Sequence, residues 1–113
     1  EEENSARLAT DFFEDDENFY LVAPIAGVDV DNVSVTVSDD VLTVKGERHF
    51  EKEITKVNFI SQECYWGEFS RSVVLPEDAD PRKVQATFKN NVLTIKIAKI
   101  PQKEKKIKIQ IDD

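Results

Sequence analysis

The chain has no methionine, one cysteine, one histidine, one tryptophan and three glycines among its 113 residues. Each scarcity removes a class of function. A single thiol, Cys64, permits no internal disulfide and fits a reducing compartment, so a cytoplasmic setting is expected. His49 is the only imidazole, and neither it nor Cys64 has sequence neighbours that would complete a metal site or a nucleophile pair. The glycines form no phosphate-cradling loop, so nucleotide use is not supported. No apolar run approaches the roughly 20 residues that cross a bilayer, and no basic start leads into an apolar segment. Paired carboxylates exist (Asp15-Asp16, Asp39-Asp40), but they sit at turns, where acids are ordinary surface groups. No enzyme, metal or cofactor is expected. The missing methionine and the Glu1-Glu2-Glu3 start read as a processed or trimmed product.

What is present is charge and short apolar runs. The net charge of −8 and a pI near 4.7 argue against nucleic acid and anionic membrane as main partners. A hydrophobic content of 40% supplies one core and not two.

Strand signals dominate. Phe19 to Ile25 is an apolar run in which Pro24 marks an edge or a strand end. Val33, Val35 and Val37 alternate with Ser34, Thr36 and Ser38, the pattern of a half-buried strand. After Asp39-Asp40 the chain returns through Val41-Leu42-Thr43-Val44-Lys45. About fifty residues later the same unit recurs, with Val33–Lys45 aligning without gaps on Val84–Lys96. In the second copy Asn90-Asn91 takes the turn, where asparagine tolerates the positive φ of a primed hairpin. Two such hairpins predict an all-β, two-sheet antiparallel sandwich, with Val33, Val35, Leu42 and Val44 facing Ala86, Phe88, Leu93 and Ile95. Between them, Phe69 to Leu75 is a strand stopped by Pro76.

Two segments do not fit inside such a domain. Residues 47–62 are too long for a hairpin loop and carry Phe50, Ile54, Val57, Phe59 and Ile60, which a projecting arm adding a strand to a second subunit would bury. At the other end, residues 101–106 read as a solvated tether, followed by Ile107, Ile109 and Ile111 at strand period with no hairpin partner. Such a ribbon must find a sheet edge or groove, on its own domain or on a neighbour's. The receiving groove is expected between the edge strands Val33–Val37 and Val84–Phe88, lined by Val33, Val35, Val84, Ala86, Leu93 and Ile95. Three isoleucines offer two overlapping registers. Arg71 shares strand parity with Phe69, Val73 and Leu75, which puts a charge on the apolar side. There it either meets a carboxylate, in an oligomer one from the neighbouring subunit, or snorkels to a rim.

Taken together, these motifs resemble the α-crystallin domain of the small heat-shock proteins. Ala86-x-Phe88-x-Asn90-Asn91-Val92-Leu93-x-Ile95 is similar to the family's A-x-x-x-N-G-V-L signature, with Asn91 in place of glycine. Val41-Leu42-Thr43-Val44-Lys45-Gly46-Glu47-Arg48 is close to L-x-I-x-G-E-R, and Trp66-Gly67-Glu68-Phe69-Ser70-Arg71-Ser72 to Y-G-x-F-x-R-x. The tail resembles the family's Ile-x-Ile motif. The length of residues 47–62 resembles the bacterial, archaeal and plant branch, whose loop strand is exchanged between subunits.

The resemblance implies a remnant of an N-terminal arm at 1–10, the sandwich at 11–100 and a flexible tail at 101–113. It also implies an ATP-independent holdase for partly unfolded client proteins. This would be a homodimer with Phe50, Ile54, Val57, Phe59 and Arg71 at the interface, joined by its tails into higher homo-oligomers. With the family's long N-terminal arm absent, the assembly is expected to stay near a dimer or a few dimers and to protect clients poorly. The alternative is a CS-type co-chaperone or adaptor domain that acts as a monomer on one defined partner.

Overall fold

A computed structural model describes residues 5–50, 57–101 and 107–112. Its strands are β1 (Ala6–Arg7), β2 (Asp11–Glu14), β3 (Asn18–Pro24), β4 (Val33–Ser38), β5 (Val41–Arg48), β6 (Gly67–Val74), β7 (Ala79–Lys89) and β8 (Val92–Lys99). They form two four-stranded sheets, ordered β1-β6-β5-β4 and β2-β3-β8-β7. All pairings are antiparallel except the two-residue parallel contact of β1 with β6. This is the sandwich expected from the repeated hairpin.

Both hairpins turn on two residues, with Ser38 opposite Val41 and Lys89 opposite Val92. Asn90 and Asn91 both take positive φ, 54° and 62°, as a type I′ turn requires. In the first hairpin Asp39 takes the positive value, 55°. Pro24 ends β3, a strand that lies between β2 and β8. It therefore marks a strand end and not an edge.

The core lies between the sheets. Leu42 and Val44 of β5, Leu21 and Ala23 of β3, and Ile95 and Ile97 of β8 are fully buried. Val33, Val35, Val84 and Phe88 are half-buried and pack against this cluster. Ala86, expected to face the core, is exposed. It sits on the edge strand β7, where a single methyl does not reach far enough inward to be covered.

Phe69 of β6 is buried opposite Gly46 of β5. A methyl group on Gly46 would stand 2.4 Å from Phe69 Cζ, so glycine is needed there for space. The guanidinium of Arg48 lies 5.6 Å from the centre of the same ring. On β7 the register shifts between Ala79 and Val84, and the buried Asp80 closes that irregularity. Its carboxylate accepts from the backbone N–H of Arg82 at 3.0 Å and from Arg82 Nε at 3.1 Å.

Within residues 1–10, expected to be the remnant of an arm, the described residues 6–8 lie against the sandwich. Ala6 and Arg7 pair with Phe69 and Ser70, and Leu8 is buried in the core. Neither β1 nor β2 shows in the sequence pattern. The first is only two residues long, and in Asp11-Phe12-Phe13-Glu14 all four residues are exposed, which leaves no alternation to read.

Two predictions follow from this packing. Gly46→Ala overfills the site beneath Phe69, and its urea midpoint should fall by an amount corresponding to about 1–3 kcal/mol. Hydrogen bonds from the Arg82 side chain and then its backbone hold the Asp80 pKa below the ordinary 3.8. The stability it contributes is complete above 3.8 and is lost as the pH falls through the lower folded value. Asp80→Asn should therefore lower the thermal midpoint at pH 7, with the gap to the parent closing below pH 3.8.

Candidate functional site

Sheet order leaves β4 and β1 at the margins of one sheet and β7 and β2 at the margins of the other. A margin strand presents unpaired backbone N–H and C=O groups, a ready template for a further strand. The apolar residues that the sandwich does not absorb are gathered beside these margins and on two extensions.

The first extension leaves from β5 and returns into β6. Glu47 and Arg48, assigned to the loop on sequence grounds, are still paired with Glu68 and Gly67, so the excursion starts at His49 and ends at Trp66. Its root is built. Phe50 stacks on Trp66 with ring centroids 5.2 Å apart, and Arg48 Nε donates to the Ala26 carbonyl at 2.7 Å. Tyr65 Oη donates to the Glu68 carbonyl at 2.6 Å, bracing Gly67 at φ 136°. Beyond this root Val57 and Phe59 are about half exposed and Ile60 fully so. Phe50, proposed for the dimer interface, is thus held by its own chain while its ring remains more than half exposed. Ile54 lies outside the described residues.

The second extension is the tail. Ile100 N donates to the Asp78 carbonyl at 2.7 Å, the last backbone anchor described on the sandwich. Ile107, Ile109 and Ile111 are 80%, 87% and 88% exposed and form no strand. The tail is therefore not docked on its own domain here.

Of the residues expected to line a receiving groove, Val33, Val35 and Val84 are half-buried and Ala86 is exposed on the margin strands β4 and β7. Leu93 and Ile95 are buried in β8 and belong to the core beneath. Asp39, Asp40, Ala79 and Pro81 line one hollow, which puts the end of β4 beside the start of β7. Arg71, expected to meet a carboxylate, in an oligomer one from the neighbouring subunit, or to snorkel to a rim, is half-buried. Within its own chain it donates to the Leu8 carbonyl at 3.3 Å, which the β1 segment brings within reach.

On β2, Phe12 and Phe13 are exposed, and Phe13 stacks on Tyr20 with centroids 5.4 Å apart. Tyr20 Oη donates to Asp15 at 3.0 Å. Backbone N–H donors from Glu17 and Asn18 hold the Asp15 carboxyl below the ordinary carboxylate range, and the bond to Asp15 pushes the Tyr20 hydroxyl up. Lys99 Nζ reaches Glu14 at 2.6 Å, which raises its pKa. This margin is thus ordered before any partner meets it. Sequence reasoning passed over it, although two adjacent phenylalanines beside an acidic turn were a usable signal. Among the described residues no group of three or more histidine, cysteine or acidic side chains is placed to hold a metal ion. None of the described helical segments is long and apolar enough to cross a membrane.

The Hsp20/alpha crystallin family model matches residues 11–112. A small heat shock protein C4 of Rickettsia felis is 39% identical over 101 residues, covering 88% of this chain and 62% of the relative. A 17.8 kDa class I heat shock protein of Arabidopsis thaliana is 35% identical over 104 residues, covering 91% of this chain and 66% of the relative. The chain thus spans slightly less than two thirds of the length of these curated relatives. Among solved structures, a small heat-shock protein of Xylella fastidiosa is 29% identical, with a TM-score of 0.77 over 94% of this chain and 96% of that one. The hspA protein of Xanthomonas axonopodis is 31% identical, with a TM-score of 0.73 over 82% and 93%.

The exposure of the tail yields a stability contrast. Ile109→Ala should leave the urea midpoint within about 0.5 kcal/mol of the parent. The same truncation at the fully buried Ile97 should cost about 2–5 kcal/mol.

Proposed function

Since the chain belongs to the Hsp20/alpha crystallin family, we propose that it is an ATP-independent holdase that dimerises through its arm and assembles further through its tail. The observation that carries this reading is the apolar surface left outside the core. Val57, Phe59 and Ile60 on the arm and three isoleucines on the tail stand in solvent, on a domain whose margin strands have unpaired backbone. Isolated exposed apolar residues are ordinary, but contiguous ones on extensions mark surfaces that bind.

The arm of one subunit adds to the β2 margin of its partner, where Phe12 and Phe13 supply apolar contact. The tail enters the groove between β4 and β7 of a neighbouring dimer, over Val33, Val35, Val84 and Ala86. Burying one isoleucine is worth roughly 1.5–3 kcal/mol, so two or three anchors give on the order of 3–9 kcal/mol gross. Ordering the tail and losing independent motion take back much of that. A single tail then binds in roughly the millimolar to micromolar range. Contacts of this strength hold only in number, so assemblies exchange subunits and loosen on heating.

Loosening uncovers margins and apolar side chains to which partly unfolded chains add, while the acidic surface keeps the complex soluble. The Xylella fastidiosa relative has a distinct high order structure, and the same capacity for assembly is proposed here. The exposed, unpaired Cys64 suits the cytoplasm, the proposed compartment.

The test compares parent, Ile109→Ala and Arg71→Ala chains for suppression of heat-induced client aggregation and for mass by analytical ultracentrifugation. Ile109→Ala should shrink the assemblies toward dimers. Arg71→Ala should raise the dimer dissociation constant by about tenfold, the equivalent of about 1.4 kcal/mol. A parent chain that stays monomeric at high concentration and protects no client would overturn the reading in favour of a monomeric adaptor.

A further inference from the structure

The β6 margin is occupied, but thinly. Of the eight residues of β6, Phe69 and Ser70 have strand partners on that side among the described residues, Ala6 and Arg7 of β1. The pairing is parallel, the weaker geometry per residue. Further contacts of the described residues add to the hold. Leu8 N donates to the Ser70 carbonyl at 2.9 Å, Ser5 Oγ lies 3.2 Å from Ser70 Oγ, and the Leu8 side chain is buried. A segment held by two paired residues, one apolar anchor and three hydrogen-bond contacts belongs nearer the low-stability end of local opening than the long pairings of the sandwich.

Removing it would uncover a specific surface. The Leu8 socket would open into the core, the β6 backbone would lose its strand partner, and Arg71 would lose the carbonyl at 3.3 Å to which it donates. These are three requirements, for an apolar side chain, an extended backbone and a carbonyl oxygen. An extended apolar stretch of an unfolded protein supplies all three at the same spacing as β1. A folded surface supplies them only if it offers a free strand.

Resting on the chaperone reading above, we infer that β1 is an internal placeholder, and that β6 with the Leu8 socket is a client-binding margin exposed when β1 leaves. The ligand class is an extended segment with a leucine-like residue, bound by strand addition. Arg71 then takes a carbonyl from the client as it takes one from Leu8.

The experiment uses the full chain. In a Cys64→Ser background, Ser5→Cys with Ser70→Cys ties β1 to β6 when oxidised and releases it when reduced. Leu8→Asp removes the anchor and keeps the margin free. Reduced α-lactalbumin, an unfolded chain, is the probe, followed by light scattering and by pull-down stoichiometry. The probe is reduced and purified away from thiol beforehand, and the oxidised tie is verified by mass after each assay. Oxidation should raise the amount of protein needed for half protection at least threefold, reduction should restore it, and Leu8→Asp should lower it below the parent's. Circular dichroism identical in the two redox forms confirms that the tie leaves the sandwich intact.

Equal protection by the tied and released forms overturns this inference alone. A change of oligomer mass without a change in client binding also overturns it, assigning the margin to a second copy. A parent chain that never binds the probe overturns the chaperone reading as well.

Discussion

Two four-stranded sheets that enclose one core cannot also satisfy their outer strands. The backbone groups on those strands require partners that the domain does not contain in full, and most of what is distinctive about this molecule answers that requirement. Four margins exist. One is held by a two-residue strand, one carries paired aromatics, and the other two are β4 and β7.

The sandwich tolerates this because its interior is complete without the two extensions. Leu21, Ile25, Leu42, Val44, Ile95 and Ile97 are closed off from solvent and owe nothing to arm or tail. Folding and the proposed association therefore draw on separate sets of side chains. In that proposal a change in tail or arm alters the assembly, whereas a change beneath Phe69 alters the fold.

Much of this was legible in the residues. The hairpins could be read because alternation and turn chemistry coincide, apolar residues at every second position closing on Asp39-Asp40 and Asn90-Asn91. The tail could be read because an apolar triplet at strand period after a lysine-rich stretch has no local use. What escaped reading depends on contacts distant in sequence. Ala6-Arg7 is a strand only because the β6 margin lies beside it. Ala86 obeys the inward parity of β7 but is too short to be covered. The partner of Arg71 depends on where residue 8 comes to rest, and no pattern around residue 71 carries that information. The irregularity in β7 escaped too, since Asp80 and Arg82 look like turn residues until their hydrogen bonds are seen.

The stack of Phe50 on Trp66 bears on how this protein is observed. Trp66 is the only indole in the chain, and it lies at the root of the arm, partly exposed, while the interior contains none. Its emission is consequently a gauge of the arm's surroundings, brightening or shifting when another chain covers that ring. A melt followed by tryptophan fluorescence would register both a change in the covering of that ring and the loss of the sandwich beneath it, since Trp66 lies against Gly27.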